Sequence, residues 1–123
     1  MKNREQIRAK NALAAIKGGV RGRGIQEGDA LSGFPALVVN NGLLATMAFS
    51  MKQGEGFLEV CDAIARHLSD KEIGLLQVAN ADTSTLLKHL TESDSIQLRL
   101  CTSEALAYLN YLRRFAKARR NDD

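Results

Sequence analysis

The sequence ALSGFPALVVNNGLLATMAFSM, residues 30–51, is a run of 22 uncharged residues between Asp29 and Lys52. At about 100° per residue, its apolar side chains fall on two neighbouring lines that cover most of a helix surface. One line is Leu37, Leu44, Met47 and Met51, and the other is Phe34, Val38, Ala45 and Phe49. A helix that is apolar nearly all round is normally buried. The run therefore predicts one buried central helix, with Pro35 in its first turn and Ser32 as a candidate cap.

Two alternatives compete with this buried helix. The run is long enough to span a membrane, but polar and helix-disturbing residues make it a poor span: Pro35, Asn40, Asn41, Gly42, Thr46 and Ser50. Asn41-Gly42 is also the strongest short-range signal for a β-hairpin turn. Leu, Ala and Met dominate after Gly42 while β-branched residues are scarce there, which favours a helix over a hairpin.

Helical periodicity recurs in four further segments, which lie near residues 3–17, 57–68, 83–90 and from 94 or 95 onward. Asp82 or Thr83 is placed to cap the third of these, and residues 72–81 are ambiguous. The last segment has the clearest apolar face, formed by Leu98, Cys101, Ala105, Tyr108, Leu109, Leu112, Phe115 and Ala116. The corresponding face of the first segment is Ala9, Ala12, Leu13, Ile16 and Val20.

Strand signals are thin along the whole chain. The sequence therefore predicts an all-α fold, a single compact helical bundle of about five helices. Its length fits one domain, residues 1–123. Residues 18–28 are glycine-rich and basic, which predicts a loop.

Charge is distributed unevenly, although the net charge of the chain is only +3. Residues 1–23 hold seven Lys or Arg and one Glu, and residues 113–123 hold five Lys or Arg and two Asp. Residues 24–112 between them hold five basic and eleven acidic side chains. Two basic ends around an acidic middle suggest an anionic partner for the ends, nucleic acid first. Charged helix ends that are simply solvated remain the alternative.

Basic side chains form stripes on the first and last predicted helices. On the last one Arg99, Arg113 and Lys117 project within about 40° of one another, with Arg114 and Arg120 to either side. On the first one Lys10, Lys17 and, if the helix continues, Arg21 form a stripe, while Arg4 and Arg8 lie on another line. Arg21 and Arg23 alternate with glycine, as in flexible RNA-contacting loops, although a solvated linker fits equally well.

Such residues would contact backbone phosphates, which position a nucleic acid without reading its bases. The candidate nucleic-acid-binding residues are therefore Lys10, Lys17, Arg21, Arg23, Arg99, Arg113, Arg114, Lys117 and Arg120. The helix macrodipole would account for only one or two of them. Tyr111 lies at the edge of the apolar face, and a packing or subunit-contact role is favoured over stacking on a base.

No nucleotide-binding or catalytic motif stands out. Gly22, Gly24 and Gly28 give G-x-G-x-x-x-G, which misses the dinucleotide spacing by one residue, and a P-loop is not found. Serine-nucleophile motifs and paired carboxylates are not found either. We therefore predict no catalysis and no cofactor.

A metal site is not expected. Cys61 and His67 project about 120° apart on one helix, so they do not form a ligand pair. Buried cysteines (Cys61, Cys101) and surface histidines (His67, His89) are the expectation, with Asp62, Asp70 and Glu72 as a solvated acidic surface. Neither cysteine belongs to a C-x-x-C pair or to a regular framework of disulfides, and the N-terminus has no secretory features. Both observations predict a cytoplasmic protein with no membrane partner.

Two segments together carry a family resemblance. PALVVNNGLLATMAF, residues 35–49, and EALAYLNYLRRFAKARR, residues 104–120, resemble the small helical subunit of the type III-B CRISPR RNA-guided effector, the Cmr complex. The chain departs from that pattern at Tyr111, where Trp is expected, and in the glycine-rich run before Phe34.

The resemblance implies a non-catalytic subunit in antiviral defence, without cofactor or small-molecule substrate. Copies of such a subunit stack along the backbone subunits that hold the guide RNA and help to accommodate the target RNA. The implied partners are other subunits of the complex, further copies of the chain, guide RNA and target RNA. A free-standing nucleic-acid-binding regulator and a pure assembly adaptor are the alternatives.

Overall fold

The computed structural model describes residues 2–20 and 29–122, without the side chains of residue 29 and residues 119–122. These ranges contain six helices and no strand: α1 (Arg4–Lys17), α2 (Asp29–Asn41), α3 (Leu43–Gln53), α4 (Glu55–Leu68), α5 (Thr83–Glu92) and α6 (Ser95–Asp122). The all-α prediction is confirmed, with six helices in the described part rather than about five. Residues 21–28 of the predicted loop lie outside the described residues.

The extra helix arises because the apolar run 30–51 divides at Gly42, which corrects the prediction of one continuous helix. Gly42 has φ of 89° and ψ of 160°, and Gly54 between α3 and α4 has φ of 87° and ψ of −152°. These conformations are essentially restricted to glycine. The Gly42 N–H still donates to the Val38 carbonyl at 2.8 Å. The Asn41-Gly42 signal thus marks a break between two helices and not a hairpin.

The start of α2 also differs from the prediction. Helix α2 includes Asp29, so Pro35 lies in its interior and Ser32 is inside the helix instead of capping it. Proline has no N–H to donate to the carbonyl four residues earlier, which is that of Leu31. Helix α2 therefore tolerates one missing backbone bond near its middle.

The apolar run is buried on one side only. Leu31, Phe34, Val38, Leu43 and Met47 are buried in the core. Val39, Phe49 and Met51 are 69%, 40% and 50% exposed, so the expectation of burial nearly all round is wrong. No helix in the described part of the chain combines the length and apolar character that a membrane span requires.

Helix α6 is the axis on which the bundle is built. Its 28 residues extend for about 42 Å, and α1, α2 and α4 pack against it. The predicted face is confirmed: Cys101, Ala105, Tyr108, Leu109, Leu112 and Ala116 are buried, and Leu98 and Phe115 are partly buried against the core.

Local capping fixes the beginnings of α1 and α5. Asn3 accepts from the Gln6 N–H while the Gln6 side chain accepts from the Asn3 N–H, which satisfies two otherwise unpaired donors. Asp82 caps α5 in the same way with Thr85, as the sequence suggested. The ambiguous segment 72–81 contains turns and no helix. On α1, Leu13 is exposed, which corrects its assignment to the apolar face, and Ile7, which was not assigned to that face, is buried.

Candidate nucleic-acid interface

Six of the nine candidate basic residues have described side chains. Lys10, Lys17, Arg99, Arg114 and Lys117 are exposed, and Arg113 is half-buried. Arg21 and Arg23 lie outside the described residues, as does the side chain of Arg120. The described members therefore lie on two helices only, α1 and α6.

On α6 the predicted stripe separates into two parts. Arg99 lies 14 residues before Arg113, a rise of about 21 Å along the helix. Arg113, Arg114 and Lys117 fall within five consecutive residues, and we refer to these three as the basic cluster. Arg99 instead lies beside Leu98 and Leu106, in a groove between α6 and the beginning of α3.

The basic residues of the interface form no salt bridge among the described side chains, although the charge of Lys10 helps to lower the pKa of Asp70. Every salt bridge between those side chains converges on one carboxylate, Glu104 of α6, from Arg4, Arg8 and His67. Arg4 and Arg8, which the sequence placed on a second line of α1, thus have a structural role. Lys10 and Lys17 are the exposed cations of α1 that form no salt bridge with a described side chain.

Glu104 is a buried anion whose charge is compensated on all sides. It is only 3% exposed. The Arg8 guanidinium donates to both of its oxygens, at 2.7 and 2.8 Å, and Arg4 Nη1 donates at 2.9 Å. Burial alone would raise the pKa of Glu104, but the bonds from Arg8 and His67 outweigh it and hold that pKa at about 2. Glu104 therefore stays ionised and ties α1 to α6.

His67 is buried, which corrects the prediction of a surface histidine. Asn11 Nδ2 lies 2.9 Å from His67 Nδ1 and donates to Asp70 Oδ2 at 3.0 Å. An amide nitrogen can only donate, so Nδ1 is the acceptor and Nε2–H donates to Glu104 Oε2 at 2.9 Å. Burial lowers the pKa of His67 despite the neighbouring Glu104. The ring is therefore neutral, and it stacks on Tyr108 with 4.2 Å between ring centroids.

These six residues form one connected group, which we call the Glu104 network: Arg4, Arg8, Asn11, His67, Asp70 and Glu104. The sequence contained a signal for it, because Glu104 lies on the apolar face of α6 between Cys101 and Tyr108. A charged residue on such a face predicts a buried partner. The identity of the partners needs the tertiary structure, since Arg8 is 96 positions away.

The predicted solvated acidic surface is partly structural. Asp62 Oδ1 accepts from the Thr83 N–H at 2.8 Å and from the Thr83 hydroxyl at 2.6 Å, which fixes the start of α5 against α4. Asp70 Oδ1 accepts from the Glu72 N–H at 2.9 Å. Glu72 itself is exposed, as expected.

Nucleophilic and metal chemistry find little support in the described residues. Cys61 and Cys101 are buried, as expected. Burial raises the pKa of the Cys61 thiol to about 11 and raises that of Cys101, which disfavours the reactive thiolate. Within residues 2–20 and 29–122, no group of three or more His, Cys, Asp or Glu is placed to hold a metal ion. Tyr111 packs against the core beside Phe115.

Comparisons with known proteins agree on one family. A family model described as a CRISPR-associated protein, Cas_Cmr5, matches residues 4–119. The X-ray crystal structure of a CRISPR-associated Cmr5 family protein from Thermus thermophilus is similar, with a TM-score of 0.72 and 26% sequence identity. The match covers 95% of this chain and 97% of that one. Comparison with curated protein sequences gives no significant match. The chain belongs to the Cas_Cmr5 family and is a small subunit of a type III-B CRISPR effector, the Cmr complex.

Proposed function

We propose that the chain acts as a non-catalytic subunit of the cytoplasmic Cmr complex that contacts phosphates of the target RNA through the cations of α1 and α6. The observation that carries this proposal is that the basic cluster forms no salt bridge with a described side chain. Arg113, Arg114 and Lys117 project from α6 without a described acidic partner, although Arg8 on the neighbouring helix has one. Cations that the fold does not use are available to a polyanion.

The helix macrodipole is a weak alternative explanation for the basic cluster. Its stabilisation of cations, about 0.3–1 kcal/mol each, is confined to the last turn of a helix. Helix α6 continues to Asp122, five residues beyond Lys117, and Arg99 lies in its first two turns. Arg113 and Lys117 are spaced i, i+4, an arrangement that destabilises a helix when the charges are alike. Binding of an anionic partner explains the presence of these cations better than stabilisation of the helix does.

Phosphate contact predicts a salt-dependent interaction without sequence preference. The test replaces the basic cluster by alanine, R113A/R114A/K117A, in a complex reconstituted with guide RNA. The affinity for target RNA should fall by about tenfold, and the slope of log Kd against log salt concentration should decrease by about 2, since each single-strand phosphate contributes about 0.7. The Tm of the isolated subunit should stay within about 2 °C, because Arg114 and Lys117 are exposed, Arg113 is half-buried, and none of the three forms a salt bridge with a described side chain.

A matched control removes three positive charges elsewhere. Lys52, Lys71 and Lys88 are exposed and lie outside α1 and α6. The K52A/K71A/K88A variant has the same net charge as the basic-cluster variant, so it isolates position from total charge. Equal losses of RNA affinity in the two variants would contradict the proposal. Failure of the basic-cluster variant to enter the complex would instead favour the assembly-adaptor alternative.

We further propose that copies of the chain stack head to tail, which a second observation supports. The groove of about 600 Å³ beside α6 is lined by Leu44, Leu98 and Leu106, with Arg99 among them. At the opposite end of α3, Met51 is half exposed and precedes the exposed acidic Glu55. The apolar groove with the cation Arg99 is complementary to the apolar Met51 with the nearby anion Glu55. Because these are two different surfaces of the chain, their pairing forms a heterologous contact that further copies can extend.

Charge exchange tests the stacking contact. Each of the single variants R99E and E55K should lower the number of small-subunit copies that native mass spectrometry counts in the complex. Mixing the two variants should restore that number, because each mutated surface then meets its complement. Copy numbers that fall in both single variants and do not recover on mixing would contradict this pairing of surfaces. The RNA-contact proposal is tested separately by the basic cluster.

A further inference from the structure

A cleft of about 360 Å³ lies between the C-terminal halves of α1 and α4, away from the groove beside Arg99. Its volume is at the lower end of the range for small-molecule sites, roughly 300–1,000 Å³. The cleft exists because the facing residues are small: Ala14 and Ala15 on α1 and Ala63 on α4. Such side chains leave flat apolar walls, which suit a planar ring.

The polar groups of the cleft are few and have defined roles. The amide nitrogen of Asn11 is committed to His67 Nδ1 and Asp70 Oδ2, so the group that Asn11 offers the cleft is its carbonyl oxygen. Both ring nitrogens of His67 are likewise committed, to Asn11 and Glu104. Arg66 also lines the cleft, and it is exposed and carries only donors. Tyr108 of α6 lines the cleft as well. The site thus presents one fixed acceptor, the Asn11 oxygen, one cationic donor, Arg66, and the side chain of Tyr108.

The surroundings of the cleft favour an anionic ligand. Lys10 and Lys17 flank Asn11, Ala14 and Gly18 along α1, and both lysines are exposed. Arg66 lines the cleft itself, whereas Lys10 and Lys17 are sequence neighbours of its α1 wall and do not line it. Two carboxylates are bonded to lining residues of the cleft, and both are engaged within the fold: Asp70 by Asn11 and the Glu72 N–H, and Glu104 by His67 and Arg8. A ligand with a planar ring and adjacent negative charge satisfies all of these features.

We propose that this cleft receives an unstacked base of the target RNA, an inference that rests on the proposed function. Unpaired bases of single-stranded RNA are commonly turned out of the stack and held by their edges. The base lies between the alanine walls, and Asn11 Oδ1 accepts from a ring or exocyclic N–H. Arg66 donates to a base carbonyl oxygen or ring nitrogen. Lys10 and Lys17 contact the phosphates on either side of that nucleotide.

The first test fills the cleft without altering charge. Ala14 is exposed and helical, so A14L adds an apolar side chain at a position that leucine tolerates. Ala48 of α3 is also exposed and helical and is remote from the cleft, so A48L is the matched control. In the reconstituted complex A14L should weaken binding of target RNA about fivefold, the low end of what one held base contributes. A48L should leave the affinity unchanged.

A second measurement locates the base. Target RNAs that carry 4-thiouridine at successive positions are crosslinked by light in the complex, and the attached peptides are identified by mass spectrometry. A crosslink to a peptide that contains Ala14 or Ala63, abolished by A14L, supports the inference. The R66A variant, which removes an exposed side chain, should reduce the yield of the same crosslink at least about threefold, since Arg66 loses its contact with the base.

The outcomes separate this inference from the function on which it rests. If R113A/R114A/K117A weakens RNA binding but A14L and R66A do not, the cleft is not a base site while the proposed function stands. If none of the variants affects RNA binding, both fail. If A14L prevents incorporation of the subunit and the cleft crosslinks to a neighbouring protein, the cleft is a peptide site and the inference is overturned.

Discussion

The Glu104 network and the basic cluster lie on the same helix, only nine residues apart between Glu104 and Arg113, yet arginine has opposite uses in them. Arg8 donates two bonds to a carboxylate that is 3% exposed, and it stabilises the packing of α1 on α6. Arg114 is exposed and meets no described acid. The difference shows that the partner of an arginine, and not its residue type, decides whether it stabilises the fold or is available to bind a ligand.

Among the variants that test this contrast, loss of the buried anion should have the largest effect on stability. Glu104→Ala leaves Arg8 and Arg4 without their partner and removes the acceptor of His67, so the free energy of unfolding should fall by about 3–5 kcal/mol. Denaturant unfolding of the isolated subunit measures it. Glu92→Ala on α5, where the glutamate is exposed, should stay within about 0.5 kcal/mol. Similar values for the two variants would mean that the Glu104 network does not stabilise the fold.

The pH dependence of stability sharpens the contrast. The pKa of Glu104 is about 2 in the folded chain against an ordinary value of 4.5, so its contribution is present above pH 4.5 and disappears as the pH falls toward 2. That shift corresponds to about 3 kcal/mol. The lowered pKa of His67 acts in the same direction, because below pH 6.5 the unfolded chain binds a proton that the folded chain does not.

Thermal unfolding of the isolated subunit from pH 7 to pH 3 measures this dependence. Stability should decline steadily below about pH 6.5. Glu104→Gln should flatten the part of the curve below pH 4.5, whereas R113A/R114A/K117A should leave its shape unchanged. A flat profile for the wild-type chain would contradict the linked titration of Glu104 and His67.

A pair of single arginine variants tests the contrast directly. Arg8→Ala should cost about 2 kcal/mol of stability, since it removes charge-assisted bonds while Arg4 and His67 remain on Glu104. Arg114→Ala should leave stability within about 0.5 kcal/mol and lower the affinity of the complex for target RNA about threefold. The contrast fails if Arg8→Ala affects only RNA binding or Arg114→Ala affects only stability.

Two glycine variants, which should leave RNA affinity unchanged, separate loss of fold from loss of charge. Gly42→Ala forces a side chain into a conformation restricted to glycine and should cost about 1–3 kcal/mol. Gly33→Ala lies inside α2 with open space around the added carbon, so it should stabilise by about 0.5–1 kcal/mol. Neither changes a charge, so both should retain RNA affinity under conditions in which the subunit is folded.

Local pattern predicted much of the fold but only part of the site. The buried face of α6 followed from its periodicity because that face depends on spacing alone. The break at Gly42 does not follow from the sequence, since Asn-Gly fits both a hairpin and a helix terminus, and the tertiary packing of α2 and α3 decides between them. The sequence shows the stripes of basic residues on α1 and α6. It does not show that Arg4 and Arg8 bind Glu104, because those contacts join residues about 100 positions apart.

The single-glycine joints at Gly42 and Gly54 constrain how the length of this chain can change over evolution. Between α2, α3 and α4 no loop can absorb an added residue, so an insertion within α3 would rotate α4 by about 100° relative to its present orientation. Val60 and Ile64 would then leave the core. Among relatives of this chain, insertions and deletions should therefore accumulate in residues 69–82 and be rare from α2 to α4.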